Sequence, residues 1–470
     1  MVHTAYDLIA IGGGTAGLVS SSGAAYLGAR VALIEKAALG GDCLWTGCVP
    51  SKAMLAAAHA AARARDGDRL GLPRLDVDPS FRQVMDRVRA ARARVAIHDD
   101  PDRIRARGID VQFGAARFLA PGEIEVEGVG TLTARRIVIA TGARPAIPPI
   151  PGLDEVEYLT HETAFDENER PASLLILGGG PIGMEFAQIF SRLGSSVTVL
   201  ELLPEILSAE DPEAGALLRS VLETDGVTFQ LDDPAAKVEF DGNLKMVTTA
   251  NGNRFAAEAL FVATGRAPNT EGLDLGSAGI QQAGRAVLVD SHLRTTAKGV
   301  WAAGDVTGGP QFAHAADVMA RTVVRNALLP LSARADLSNV PRVTYTDPEV
   351  AHVGLGHDEA AKEGGLTYRY DFAELDRAIT DGAETGFTKV TVDRKGRILG
   401  ATIVAKGAGE LIMPLVLARR HRLSLADISD TVFPYPTMSE GVKRTADGYQ
   451  RSRLEGRAGS ILRQLVRWLT

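Results

Sequence analysis

One pattern occurs twice along this chain, and it constrains the fold more than any other feature. The first copy runs Asp7-Leu8-Ile9-Ala10-Ile11, then Gly12-Gly13-Gly14-Thr15-Ala16-Gly17, then an alanine-rich stretch, and closes with Val31-Ala32-Leu33-Ile34 and Glu35. The second runs Leu174-Leu175-Ile176-Leu177, then Gly178-Gly179-Gly180-Pro181-Ile182-Gly183, then a helical stretch to Leu193, and closes with Val197-Thr198-Val199-Leu200 and Glu201. Each reads as strand, glycine turn, helix, strand, acid. Glycines allow the tight turn, and the helix N-terminus offers free N–H groups, so together they cradle a pyrophosphate. An acid about 20 residues on is placed for ribose hydroxyls. A lone glycine pattern is weak evidence, and an ordinary structural turn stays the alternative for either copy. Two copies in the required context predict two Rossmann-like units and two dinucleotides.

A second repeat agrees. Ile137-Val138-Ile139-Ala140-Thr141-Gly142-Ala143-Arg144-Pro145 is echoed by Leu260-Phe261-Val262-Ala263-Thr264-Gly265-Arg266-Ala267-Pro268. Each is a short buried strand ending in a glycine turn, as if closing the same kind of domain. The first interval is longer, so the first domain carries an insertion. Pro145 to Gly152 is proline-rich and reads as a linker. Ser338-Asn339-Val340-Pro341 reads as a second boundary. Beyond it, Thr388–Val392 and Ile398–Val404 predict an antiparallel sheet with helices. At 470 residues the chain exceeds one core, and about three domains are expected.

Composition excludes some function classes. A net charge of −7 argues against a general nucleic-acid binder, which needs a basic face. No run of apolar residues is long enough to span a bilayer. Met1-Val2-His3-Thr4-Ala5-Tyr6-Asp7 lacks a leader pattern, so a soluble, cytoplasmic protein is expected. Cys43 and Cys48 are the two cysteines. A structural disulfide is disfavoured in a reducing compartment, and a structural zinc site wants four ligands. A redox pair therefore leads over both.

The pair lies in Gly40-Gly41-Asp42-Cys43-Leu44-Trp45-Thr46-Gly47-Cys48-Val49-Pro50-Ser51-Lys52, just after the first Rossmann acid. Pro50 suits a helix start, where its missing N–H is no loss. Cys48 then sits at a helix N-terminus, where the dipole favours thiolate. The short gap to Cys43 lets the two sulfurs meet.

This stretch resembles the pyridine nucleotide–disulfide oxidoreductases, the group of glutathione reductase, dihydrolipoamide dehydrogenase and mercuric reductase. The likeness runs from Tyr6 to about Ala446 and includes Val300-Trp301-Ala302-Ala303-Gly304-Asp305-Val306. It implies an α/β fold with two Rossmann-like dinucleotide-binding domains and a C-terminal α+β dimerisation domain, in a homodimer. It implies an FAD domain over 1–150 and 266–337, split around a nicotinamide domain over 151–265, with dimerisation over 338–450. FAD is then expected on Gly12, Gly14, Gly17, Glu35, Thr141, Gly142 and Asp305. The nicotinamide cofactor is expected on Gly178, Gly180, Gly183, Glu201 and Gly265. Cys48 is implied as the flavin-side thiolate and Cys43 as the interchange thiol. Lys52 is implied near flavin N5, paired with Glu185, although a solvated surface pair is the plain alternative. Glu201, with no arginine in Leu202-Leu203-Pro204, favours NADH over NADPH.

The pattern departs at one position. The disulfide reductases bring a histidine–glutamate pair across the dimer interface; here the stretch is Phe433-Pro434-Tyr435-Pro436-Thr437-Met438-Ser439-Glu440. Glu440 is present, but Tyr435 replaces the histidine. A phenol with a pKa of about 10 is a poor base at neutral pH. That puts glutathione- or lipoamide-like substrates in doubt, whereas a metal-thiolate or a quinone demands less of a base there. Mercuric reductases also carry tyrosine, and two further stretches are similar to that branch: Asp376-Arg377-Ala378-Ile379 through Gly386-Phe387, and Gly396–Thr402. The chain nevertheless ends Leu465-Val466-Arg467-Trp468-Leu469-Thr470 without their cysteine pair. Dedicated mercury chemistry is not the first expectation, and no resident metal is expected. His314, close after Asp305, is either a structural histidine or a substitute acid–base group near the flavin.

The tail, residues 451–470, carries Arg451, Arg453, Arg457, Arg463 and Arg467, with Ile461, Leu465 and Trp468 on one helical face. A basic amphipathic helix can lie on an anionic membrane, or simply pack on its own dimer. The expected activity is an FAD-dependent NAD(P)H oxidoreductase whose Cys43–Cys48 pair reduces a disulfide or thiol-bound metal. Two alternatives stand beside it: a quinone reductase acting directly from flavin, and a redox sensor that binds a partner.

Overall fold

The computed structural model describes residues 4–330, 332–455 and 457–469. Met1–His3, part of the leader reading, and Thr470, where the tail reading ends, lie outside them, as does the Arg457 side chain. The chain forms two compact units: residues 1–54, 80–170 and 259–337 in the first, and 55–79, 171–258 and 338–470 in the second.

The first unit is built on a five-stranded parallel sheet. Its order is Val300–Ala302, Ile137–Ile139, Leu8–Ile11, Val31–Glu35, Ile109–Phe113. Leu8, Ile9, Ala10, Leu33, Ile137 and Val138 are fully buried, as strands covered on both faces require. Helices Thr15–Tyr26 and Ala313–Leu328 pack against each other beside this sheet through Ala16, Ala24, Ala316 and Ala320. Small side chains there let the two helices approach closely. The insertion expected in the first interval contains helix Phe81–Ala96 and most of a second sheet, ordered Thr4–Tyr6, Gly130–Ala134, Glu123–Val126, Ala116–Ala120.

The two short repeats meet each other. Ala143–Pro145 pairs antiparallel with Arg266–Pro268, and Asn269 N–H donates to the Gly142 carbonyl at 2.9 Å. Thr141 Oγ1 also donates to the Asn269 carbonyl at 2.6 Å. The sequence reading treated each repeat as closing its own domain and did not foresee this pairing.

The second unit holds the second glycine turn between parallel strands Ser173–Leu177 and Ser196–Leu200, the latter also paired with Thr228–Gln230. A three-stranded antiparallel meander, Ala235–Asp241, Leu244–Thr249 and Arg254–Ala257, follows. Beyond residue 338 a five-stranded antiparallel sheet runs in the order Arg342–Thr344, Glu349–Gly354, Ile398–Ala405, Phe387–Val392, Leu366–Asp371. Both strands foreseen from sequence lie in it. Helices Met413–Arg420, Leu425–Ser429 and Glu440–Glu455 contribute Leu415, Leu425, Val442 and Ala446 to its core.

Helix Arg457–Leu469 ends the described chain. Its Ile461, Leu465, Trp468 and Leu469 are all exposed, Trp468 at 83%. Among the described residues no helix is long and apolar enough to cross a membrane.

Candidate redox site

The two glycine turns are built alike. Gly12 has φ +109°, and a Cβ there would lie 2.3 Å from the Ala140 carbonyl oxygen. A Cβ on Gly17 would lie 1.8 Å from the Gly12 carbonyl oxygen, so only glycine lets helix and strand approach this closely. Gly13 N–H donates to Glu35 Oε2 at 2.6 Å, and Ala37 N–H to Glu35 Oε1 at 2.8 Å. In the second turn Gly178 has φ +110°, Gly179 N–H donates to Glu201 Oε2, and Leu203 N–H to Glu201 Oε1 at 2.8 Å. Each acid thus folds back onto its own glycine turn. Helices Thr15–Tyr26 and Pro181–Arg192 begin at Gly14 and Gly180 without a side-chain cap among the described residues. A Cβ at Gly180 would meet nothing within 4 Å. Uncapped helix N-termini behind bare glycines fit the diphosphate of a dinucleotide. Gly183 is buried inside the second helix.

The dithiol segment is fastened to the first turn. Gly40 N–H donates to the Gly13 carbonyl at 2.9 Å. Gly41 has φ +60°, and a Cβ on it would lie 2.7 Å from Gly14 Cα. Cys43 lies in the short helix Gly41–Trp45, and Cys48 is the first residue of helix Cys48–Arg65. The two are joined as a disulfide, with Cα atoms 4.5 Å apart. Cys48 is exposed and Cys43 half-buried. Ser51 N–H donates to the Gly47 carbonyl at 3.1 Å, so the helix starts at Cys48, two residues before the Pro50 start expected from sequence. The free N–H groups and dipole of that end stabilise negative charge on Cys48 sulfur once the disulfide opens.

A charge cluster beside Cys43 escaped the sequence reading. Arg266 Nη2 lies 2.7 Å from Asp42 Oδ2 and 3.3 Å from Asp305 Oδ2, and it donates to the Ala143 carbonyl at 3.2 Å. Arg266 Nη1 is 3.0 Å from His161 Nε2, which is 3.4 Å from Asp42 Oδ1. Thr46 Oγ1 donates to the same Asp42 oxygen at 2.6 Å. Burial alone would raise the Asp42 carboxyl; the His161 hydrogen bond and the Arg266 charge outweigh it and hold the group well below the usual carboxylate range. Asp305 is pushed up by burial, which Arg266 offsets only in part. One guanidinium therefore joins the cysteine loop, the turn after Ile137–Ile139 and Asp305. Asp42, His161 and Glu162 could also bring ligand atoms within 4.8 Å of one another, but Arg266 already supplies the positive charge there.

Lys52, in the first turns of helix Cys48–Arg65, is half-buried in the first unit. Glu185, on helix Pro181–Arg192 of the second unit, is buried and accepts the Tyr345 N–H at 3.0 Å. His314 is exposed at the start of helix Ala313–Leu328, stacked on Phe312 with ring centroids 5.4 Å apart. Gly265 has φ +126° at the turn into Arg266–Pro268. Tyr435 is 67% exposed, and its hydroxyl donates to Asp376 Oδ2 at 2.9 Å. That hydrogen bond and the charge of Asp376 raise the phenol above its ordinary pKa. Glu440 opens helix Glu440–Glu455 and is buried, and its Oε2 has no hydrogen-bond partner among the described residues.

Residues 6–320 match the family described as pyridine nucleotide-disulphide oxidoreductase, and residues 340–446 match its dimerisation domain. A mercuric reductase from Bacillus cereus is 37% identical over 450 residues, covering 93% of this chain and 70% of that protein. A dihydrolipoyl dehydrogenase from Thermus scotoductus is 36% identical over 460 residues, covering 95% and 98%. The HOCl-induced flavoprotein disulfide reductase RclA from Escherichia coli superposes with a TM-score of 0.86 at 30% identity, over 94% of this chain and 99% of that one. RclA has also been solved as a Cu(II) complex. LpdA from Mycobacterium tuberculosis gives a TM-score of 0.87 at 28% identity, over 94% and 99%.

Proposed function

The chain belongs to the pyridine nucleotide-disulphide oxidoreductases, FAD- and NAD(P)H-dependent enzymes, and on that premise we propose that its Cys43–Cys48 pair delivers electrons to a disulfide or a thiol-bound metal ion. The observation that carries this reading is the disulfide at a helix N-terminus, fastened to the first glycine turn through Gly40 and Gly41. When bound, flavin relays two electrons from the nicotinamide to that disulfide.

The chain's own residues divide the remaining work. Gly12, Gly14 and Gly17 bare the helix end that holds the FAD diphosphate, and Glu35 holds its ribose. Thr141, Gly142 and Asp305 line the flavin half, with His314 at its margin. Gly178, Gly180, Gly183 and Gly265 serve the nicotinamide cofactor. Glu201 favours NADH, because its carboxylate repels a 2′-phosphate. Lys52 balances negative charge at the flavin.

Opening the disulfide leaves Cys48 as a thiolate and Cys43 as the exchanging group. With a disulfide acceptor, Cys43 sulfur attacks one acceptor sulfur, the acceptor S–S bond breaks, and the leaving thiolate takes a proton. Cys48 then attacks Cys43 sulfur, releases the second thiol and restores the Cys43–Cys48 bond. The sum is NADH, one proton and a disulfide giving NAD⁺ and two thiols. A metal held by two thiolates takes the same two electrons and needs no base to activate an attacking group. Tyr435 and Glu440, where the family uses histidine and glutamate, favour that second acceptor. They belong to the dimerisation domain, which supports a homodimer; we place them in the partner's acceptor site.

Steady-state NADH oxidation with disulfides, cysteine-bound metal ions and quinones tests this in wild type and Cys43→Ser. Loss of the disulfide and metal activities in the variant supports the relay. Full retention in the variant, above all with quinones, would overturn it.

A further inference from the structure

Asp376 opens the short helix Asp376–Asp381, inside a stretch that sequence analysis could liken to a branch of the family but could not give a task. The structure brings it to Tyr435. The Tyr435 hydroxyl donates to Asp376 Oδ2 at 2.9 Å. The next residue on the same helix holds the following peptide: Arg377 Nη1 donates to the Pro436 carbonyl at 3.4 Å. Arg377 is itself braced by Asp381, its Nε 2.8 Å from Asp381 Oδ1. Two adjacent residues of one helix thus fix the ring and the backbone of a segment whose neighbours Val432 and Pro434 are exposed.

We infer that Asp376 is a positioning residue for Tyr435, fixing the direction of its hydroxyl so that the oxygen presents lone pairs, not its proton, to the acceptor. This rests on the role given to Tyr435 above and deepens it. A phenol donates one hydrogen bond and accepts two. With its donor committed to Asp376, Tyr435 cannot protonate a leaving thiolate, but it can face an electron-poor centre. The pair therefore suits a thiol-bound metal cation better than a disulfide. Charged groups around the hydroxyl are Asp376, Glu440 and Arg444, with Arg377 beside the following peptide. The two carboxylates raise the phenol and Arg444 lowers it, with Asp376 the largest influence.

The test uses the dimeric holoenzyme with Asp376→Asn, Tyr435→Phe and both together. Pre-reduced enzyme is mixed with mercuric ion held by excess cysteine, and separately with dithiobis(nitrobenzoate), and reoxidation is followed from pH 7 to 11. The NADH half-reaction on the same samples reports whether fold and flavin loading are intact. Asp376→Asn is expected to slow reoxidation by the metal probe roughly 3- to 10-fold, because the remaining amide oxygen accepts only a neutral and weaker hydrogen bond. The double variant should be no slower than Tyr435→Phe, and the alkaline limb of Asp376→Asn should move to lower pH, because an anionic neighbour is gone. Wild-type rates and an unmoved limb in Asp376→Asn, with Tyr435→Phe slow, would overturn the inference and leave the Tyr435 role standing. Wild-type rates in Tyr435→Phe would overturn both.

Discussion

Replacing Arg266 with glutamine probes the cluster that joins the cysteine loop to Asp305. The side chain is 14% exposed and faces Asp42 at 2.7 Å and Asp305 at 3.3 Å. Removing one partner of a buried pair costs about 3–5 kcal/mol, because the other charge stays buried. Asp42 keeps 29% of its side chain exposed, so the lower end, about 3 kcal/mol, is expected. Lysine should recover only part of this, since one ammonium cannot span two carboxylates, His161 and the Ala143 carbonyl. The pH dependence has a definite sign. The folded pKa of Asp42 is depressed, so its stabilisation is present above the ordinary carboxylate pKa and is lost as pH falls through the folded value. The gap between wild type and Arg266→Gln should therefore be widest near neutrality and shrink below about pH 4. Urea unfolding followed by flavin fluorescence, at pH 7 and at several acid values, measures both. A gap under about 1 kcal/mol at pH 7, with flavin retained equally, would refute the reasoning.

Three further outcomes are expected. Glu201→Gln drops the charge and, with one acceptor oxygen in place of two, keeps only one of the bonds from Gly179 and Leu203, so the NADH-over-NADPH preference in kcat/KM should fall about tenfold; an unchanged ratio would remove Glu201 as the selector. His352 is buried, and burial, aided by the Arg342 charge, pushes its pKa down to about 4. The unfolded chain then binds the extra proton first, so stability should drop by about 3 kcal/mol as pH falls from about 6.5 to 4; His352→Gln should flatten that slope in urea titrations. Helix Arg457–Leu469 exposes Ile461, Leu465, Trp468 and Leu469 beside Arg463 and Arg467. Vesicle sedimentation separates the two sequence readings of this helix: packing on its own dimer predicts equal sedimentation with phosphatidylserine vesicles with and without residues 456–470, and a membrane contact predicts its loss on removal.

Much of the architecture was legible because its signals are local. Each glycine turn sits between its own strand and helix, and each acid lies one strand away, so both could be read from a short window. The cysteine motif, the strands at Thr388–Val392 and Ile398–Val404, and the insertion in the first interval were legible for the same reason. What escaped depends on residues far apart in sequence. Arg266 and His161 reach Asp42 only after folding, and neither stands out by spacing. Asp42, Arg266 and Asp305 each lay inside a quoted stretch, but no spacing in the sequence joined them. The ladder between Ala143–Pro145 and Arg266–Pro268 is three residues long, too short to carry a register signal. Tyr435 was noticed as a departure from the family, but its bond to Asp376 joins a loop to a helix with no periodic pattern to announce it.

The central claim is that electrons pass through the Cys43–Cys48 pair. An anaerobic NADH titration of the flavin-loaded protein across the visible spectrum tests it most directly, with Cys43→Ser alongside. The account expects a long-wavelength band at the two-electron stage in wild type, from Cys48 thiolate against oxidised flavin, and the same band in Cys43→Ser before any NADH is added. Simple bleaching of the flavin in both proteins, with no such band, would contradict it.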